Sequence, residues 1–228
     1  MPIAVKICGL STAAAVEAAV AGGARWVGFN FYPPSPRAVT PQQAAALCAL
    51  VPPQVRRVGL FVDADDAAID AALAAAPLEL LQFHGRESAE RVAEVRVRFG
   101  REVIKAVPLA GPEDIAVAAR YEDVADLLLF DAKPPRRADA MPGGNGLAFD
   151  WSLLVGTQWR RPWMLSGGLN AALLPEAVRI SGLRGNRCLL RRRNPPGDEK
   201  HRQDPRVPRA GRRPLTQHFP PLAAIAYT

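Results

Sequence analysis

Short apolar runs alternate with helical, mostly Ala-rich stretches along residues 1–183, and few folds accept that rhythm. The runs lie at 3–7, 26–31, 57–62, 79–83, 102–107, 126–131 and 162–165. They are apolar nearly throughout and bounded by turn residues, as strands buried on both faces should be. The segments between them carry helix-start and helix-stop signals. "STAAAVEAAVAGGA" opens on hydroxyls and ends at Gly22-Gly23, and "TPQQAAALCAL" has Thr40 as a cap with Pro41 in the first turn. "DADDAAIDAALAAAP" puts acids in its first turn and stops at Pro77, and "ESAERVAEVRVRFG" and "GPEDIAVAARY" follow the same plan. In "NAALLPEAVRIS" the helix is expected to start at Pro175 or just before it.

Seven β-then-α units require a parallel sheet with right-handed crossovers. At this spacing they predict a (β/α)8 TIM barrel with seven recognisable units and a disrupted eighth. An open doubly wound sheet is the structural alternative. No G-x-G-x-x-G or G-x-x-x-x-G-K-[ST] follows a strand, which weakens its nucleotide-binding versions.

The rhythm stops after Gly182. Residues 184–228 hold ten Arg and one Lys against three acidic side chains, with seven prolines from Pro195 to Pro221. The expected organisation is therefore a barrel domain over 1–183 and a basic, disordered Pro/Arg-rich tail over 184–228. The net charge of +7 belongs to that tail, because the rest carries eighteen basic and nineteen acidic side chains. No aromatic residues are interleaved with the tail arginines, so no nucleic-acid partner is expected. The three cysteines, Cys8, Cys48 and Cys188, are far apart in sequence and lack C-x-x-C spacing. That argues against a disulfide framework or a metal site and suits a reducing compartment. With no signal-peptide pattern and no apolar run long enough to span a bilayer, a cytoplasmic chain without a membrane partner is expected.

Catalytic groups of a parallel barrel sit at the carboxyl ends of its strands and in the loops that follow. Here those ends supply Cys8 in "VKICGLST", Arg37 in "FYPPSPR", His84 in "LQFHG", Asp131 in "LLLFDAKPP", and Gly167 and Gly168 in "LSGGLN". Singly, each has an ordinary structural reading: small packing, a rigid surface loop, a turn cap. Their coincidence on one rim favours a site. Cys48 lies in a helical stretch and is expected in the core.

The combination resembles phosphoribosylanthranilate isomerase. "KICGL" (6–10), "GFNFYPPSPR" (28–37), "LQFHG" (81–85), "DAKPP" (131–135), "PGGNGLAFDW" (142–151) and "LSGGLN" (165–170) occur in family order and spacing. Asn30 departs from the apolar residue usual there. The resemblance implies an isomerase of tryptophan biosynthesis that needs no cofactor and no metal. It acts on a small phosphorylated substrate, as a monomer or homodimer. N-(5-phosphoribosyl)anthranilate would become 1-(2-carboxyphenylamino)-1-deoxyribulose 5-phosphate by an Amadori rearrangement. By the same resemblance Asp131 is the general acid that opens the furanose ring, and Cys8 the base that takes the proton from C2. Arg37 would grip the anthranilate carboxylate through a two-pronged hydrogen bond. Gly167 and Gly168 would admit the phosphate to backbone N–H groups, and His84 would either line the pocket or act structurally. A free thiol holds its proton at neutral pH, so the base needs help. Lys6, two residues before Cys8 on the same strand, projects to the same face and is expected to favour the thiolate.

The family completes its phosphate site with a Ser-Ser-Gly-Val-Glu segment that is missing here. Synonymous codons for "RCLLRRRN" (187–194), read one base later, can spell Ala-Val-Ser-Ser-Gly-Val-Glu-Thr. A shifted reading frame from near residue 183 is therefore expected. Its expected consequences are unpaired edges on strands one and seven and half of the phosphate cup lost. The alternative to an active isomerase is a catalytically impaired barrel remnant that binds a phosphorylated ligand weakly.

Overall fold

A computed structural model describes residues 3–135, 141–143, 147–170, 172–181 and 188–192. Eight parallel strands close into a barrel in chain order. They are β1 (Ala4–Cys8), β2 (Trp26–Asn30), β3 (Arg56–Phe61), β4 (Leu80–Phe83), β5 (Glu102–Leu109), β6 (Leu127–Ala132), β7 (Trp163–Leu165) and β8 (Cys188–Arg192). The (β/α)8 expectation is met, and the open-sheet alternative falls to the β1–β8 pairing.

Six helices are described: α1 (Ala13–Ala21), α2 (Pro41–Cys48), α3 (Asp66–Ala75), α4 (Ala89–Phe99), α5 (Glu113–Ala119) and α6 (Leu174–Ser181). Their starts follow local chemistry. Thr12, Thr40, Asp65 and Ser88 each accept a hydrogen bond from a first-turn backbone N–H, satisfying donors the helix cannot. Thr40 and Gln43 form a full capping box with Pro41 behind it. Gly100 ends α4 in the left-handed conformation, φ 58°. The sixth unit departs from the β-then-α plan, since between β6 and β7 the described residues hold only a 3₁₀ turn, Trp151–Leu154.

Alternation along the strands creates two cores. Trp26, Val58, Leu80, Ile104, Leu127, Leu129 and Met164 fill the barrel interior with Cys8. The opposite faces (Ile7, Val27, Phe61, Leu81, Val103, Leu128, Phe130, Leu165) pack under the helices. Truncating an interior leucine such as the fully buried Leu129 to Ala would cost about 2–5 kcal/mol. Towards the carboxyl ends the inward positions turn polar, with Asn30, Gln82, Asp131 and Ser166 all buried.

The eighth unit corrects one expectation. Strand β8 lies within the segment expected to fall outside the barrel, so the sheet extends past residue 183. It pairs with β1 from Ala4↔Cys188 to Cys8↔Arg192 and with β7 at Met164↔Cys188 and Leu165↔Leu189. The edges of β1 and β7 are therefore covered. Ladder hydrogen bonds come from backbone groups, which any non-proline residue supplies, so "CLLRR" can fill the gap despite its basic end. The remainder of 184–228, expected to be disordered, lies outside the described residues.

Candidate active site

An open cleft lies at the carboxyl end of the barrel. Its walls include Cys8, Arg37, His84 and Asp131, which come from four different strand ends or loops. Gly167 and Gly168 follow β7 with φ 83° and 62°. They sit just beyond Ser166, which lines the cleft while they do not.

Cys8 is buried at the end of β1, opposite Gly28 on β2. A Cβ at Gly28 would fall 2.7 Å from the Cys8 Sγ and 3.1 Å from the Lys6 Nζ. Both side chains thus point into the barrel at the same wall. Lys6 is fully buried, and its ammonium has no hydrogen-bond partner among the described residues. Gly9 takes a left-handed turn, φ 77°, and Arg37 lies across it, with Cδ 3.1 Å and one terminal nitrogen 3.3 Å from the position a Cβ would occupy. The glycine after the thiol thereby gives the guanidinium room to settle beside it.

The loop carrying Arg37 is cinched at its base by Asn30. Its Oδ1 accepts from the Tyr32 N–H at 2.9 Å, and its carbonyl accepts from the Val39 N–H at 2.9 Å. Arg37 donates its own N–H to the Ser35 hydroxyl at 3.3 Å. Burial pushes the Arg37 guanidinium below its ordinary value, and the neighbouring Cys8 pulls it back up. The residue noted as departing from the family is thus the one that closes this loop.

His84 and Asp131 meet across the barrel, with His84 Nε2 3.2 Å from Asp131 Oδ2. Asp131 Oδ1 accepts from the Ala132 N–H at 2.9 Å. His84 is held on several sides. Its backbone N–H donates to Phe61 O at 2.9 Å, and the backbone at Gly143 lies so near that a Cβ there would overlap the ring Nε2. The following residue, Gly85, is fixed by Glu87 and by Lys105, whose ammonium donates to the Gly85 carbonyl at 2.8 Å and pairs with Glu87 at 2.7 Å. Gln82, fully buried on β4, places Nε2 3.0 Å from His84 Nδ1.

Gln82 and Asn30 carry no catalytic motif in the sequence. The signal available was the inward register, since Leu80, Gln82 and His84 are two residues apart on one strand. Cys48 is buried in α2 and its thiol is pushed up to about 11, chiefly by burial. Among the described residues no group of three His, Cys, Asp or Glu could hold a metal ion. Among them, too, no helix is long and apolar enough to cross a membrane.

The rim therefore offers a thiol beside two cations, a carboxylate beside an imidazole, and space between them. That is equipment for moving protons at two positions of one bound molecule. The family model for N-(5'phosphoribosyl)anthranilate (PRA) isomerase matches residues 5–187. The N-(5'-phosphoribosyl)anthranilate isomerase of Rhodospirillum centenum is 58% identical over 182 residues, covering 80% of this chain and 85% of that protein. The one from Paracoccus denitrificans is 56% identical over 181 residues, covering 79% and 84%. Among solved structures, phosphoribosyl anthranilate isomerase from Thermotoga maritima superposes with a TM-score of 0.73 at 31% identity, over 84% of this chain and 88% of that one. A phosphoribosyl anthranilate isomerase in complex with reduced 1-(o-carboxyphenylamino)-1-deoxyribulose 5-phosphate gives 0.70 at 30%, over 84% and 87%.

Proposed function

The chain belongs to the N-(5'-phosphoribosyl)anthranilate isomerase family, and from that membership we propose how its own residues divide the work. The reaction is the aldose-to-ketose isomerisation of tryptophan biosynthesis. Asp131 donates its proton to the furanose ring oxygen. The bond from that oxygen to C1 breaks, and the anilino nitrogen closes a Schiff base. Cys8, as thiolate, removes the C2 proton, and those electrons form the enolamine, which tautomerises to the ketone. Each general acid or base step is worth about 10²- to 10⁴-fold.

The observation that carries this reading is the shared cleft, in which Cys8 and Asp131 lie on strands β1 and β6 with Arg37 at the rim beside the thiol. Arg37 holds the anthranilate carboxylate, and a loop already closed by Asn30 lowers the ordering cost of binding. Gly167 and Gly168 receive the phosphate, with a left-handed backbone that has no Cβ to hold the ligand off. The partner is the small phosphorylated substrate alone. The chain works in the cytoplasm as a monomer or homodimer, and a Thermotoga maritima relative is described as dimeric.

A second reading, an impaired barrel that binds a phosphorylated ligand weakly, is favoured by one observation: residues 187–194 read "RCLLRRRN" where the family has Ser-Ser-Gly-Val-Glu. The decisive experiment follows the fluorescence of the anthranilate substrate with the full chain. Decay with product formation, abolished by Cys8→Ser, is expected. A folded protein that leaves the fluorescence unchanged selects the second reading.

A further inference from the structure

We propose that Gln82 is a positioning residue for the acid: the end of its amide that faces His84 sets whether the His84–Asp131 pair holds one proton more or one fewer. This rests on the assignment of Asp131 as the acid.

The atoms form one line from β4 to β6. Gln82 Nε2 is 3.0 Å from His84 Nδ1, and His84 Nε2 is 3.2 Å from Asp131 Oδ2. Gln82 Oε1 is buried with no hydrogen-bond partner among the described residues, a costly state for a carbonyl oxygen. The backbone at Gly143 lies against the imidazole, where a Cβ would overlap Nε2, and the His84 backbone N–H is held by Phe61 O. Only protons and the amide are left to rearrange.

An amide nitrogen only donates. While it faces Nδ1, that nitrogen must accept, so the one N–H of a neutral imidazole sits on Nε2. It then donates to Asp131, which is ionised and has no proton to give. A half-turn of the Gln82 amide brings Oε1 to Nδ1, and Nδ1 must now carry a hydrogen. The Nε2 lone pair faces Asp131 Oδ2, and that contact holds only when a proton lies between them. This second state contains one proton more, and Oε1 gains at Nδ1 the partner that the amide nitrogen gives up. It is the loaded acid.

In turnover the Asp131 O–H bond breaks as the ring oxygen gains the proton and its bond to C1 opens. The emptied pair has a lone pair facing a carboxylate, and it takes a proton back from the enol hydroxyl as the ketone forms. Cys8 returns to C1 the proton it took from C2, so the cycle closes with no net proton change. Among the described residues, the other charged or titratable groups around the pair include Cys8 and Lys6 from β1, and Tyr32 and Arg37 from the loop after β2. Asp63 follows β3, Glu87 follows β4, Lys105 lies on β5 and Lys133 follows β6.

The test uses the full chain with isotope-labelled histidine, His84 being assigned by its loss in His84→Asn. Nitrogen chemical shifts are read from about pH 5 to about pH 9, the range in which imidazoles exchange protons. With wild type, the Nε2–H form is expected at the alkaline end and a protonated Nδ1 at the acid end. Gln82→Met, which cannot accept, should need about 10-fold more acid to load, the size of one lost hydrogen bond to a charged group. Gln82→Glu, which can only accept, should load at about 10-fold less acid and carry the alkaline limb of kcat the same way. Identical His84 titration in all three proteins, or both variants moving in one direction, would overturn the proposal. The nitrogen shifts need no substrate. A chain that titrates as expected but fails to turn over speaks against the isomerase reading and leaves the Gln82 switch standing.

Discussion

Gly28 of β2 presses against the thiol of Cys8: a Cβ there would lie 2.7 Å from Sγ. Gly28→Ala must therefore push the thiol away from its place at the cleft wall. A misplacement of about 1 Å costs roughly 10²-fold in rate. We expect kcat/KM to fall by about that factor in steady-state assays. A variant with unchanged kcat/KM would show that the thiol position is not used.

Lys6 and Cys8 share that wall, and the Lys6 ammonium is fully buried without an acceptor among the described residues. An unpaired buried cation is costly unless an anion lies near, and the thiolate is the anion the geometry offers. Lys6→Met should slow alkylation of Cys8 at neutral pH about 10-fold, since the thiolate is the reacting form. Its melting temperature should not fall, because a methionine fills the same apolar space. Peptide mass spectrometry after timed alkylation measures the rate, and an unaltered one excludes the ion pair.

Cys48 should behave in the opposite way. Burial holds its thiol up to about 11, so below that pH the thiolate is scarce in the folded chain. Between about pH 7 and about pH 9 it should resist alkylation while Cys8 reacts, and become reactive on unfolding in guanidinium. Equal labelling of the two thiols in the native protein would contradict the burial of α2.

Asp114 ties the acid's own loop to α5. It accepts from the Ala110 and Gly111 N–H groups at 2.8 and 3.2 Å and from the Lys133 ammonium at 3.0 Å. Burial alone would raise its carboxyl, but the Lys133 and backbone hydrogen bonds prevail and hold it below the ordinary 3.8. A group depressed in the folded state contributes stability that is present above that ordinary value. The contribution is lost as pH falls through the folded one. Asp114→Asn should therefore cost stability at neutral pH and lose less than wild type on acidification below about pH 4. Denaturant midpoints measured at both pH values test this, and parallel curves would refute it.

The barrel was legible in the sequence because parallel strands covered on both sides must be apolar throughout, and runs such as "LLLF" before Asp131 leave little choice. Cys8, Arg37, His84 and Asp131 could be listed because each follows such a run. Gln82 could not, because one amide within an apolar strand shows its role only once His84 and Asp131 are set opposite each other. Strand β8 was hidden for a different reason. "CLLRR" is as long as β1 or β2, but its two arginines break the apolar pattern of a buried strand, and what places it is the pair of free edges that β1 and β7 offer. The sixth unit misled in turn, because the steady rhythm implied a helix where a 3₁₀ turn sits.

Closing the sheet and binding phosphate are separate tasks, and the pairing of β8 accomplishes the first. Its backbone satisfies β1 and β7 whatever side chains it bears, but "RCLLRRRN" lacks the small and hydroxyl residues with which the family lines the phosphate site. The non-reacting phosphate is held alike in ground and transition states, so its loss raises KM and leaves kcat nearly alone. Replacing residues 187–194 by Ala-Val-Ser-Ser-Gly-Val-Glu-Thr, the alternative reading of the same codons, should lower KM at least about 10-fold with kcat changed by less than about 3-fold. The gene offers a second check, because codons that cannot encode that segment one base on rule out the shifted frame. If both proteins show the same KM, the eighth strand as it stands already supplies what the phosphate needs.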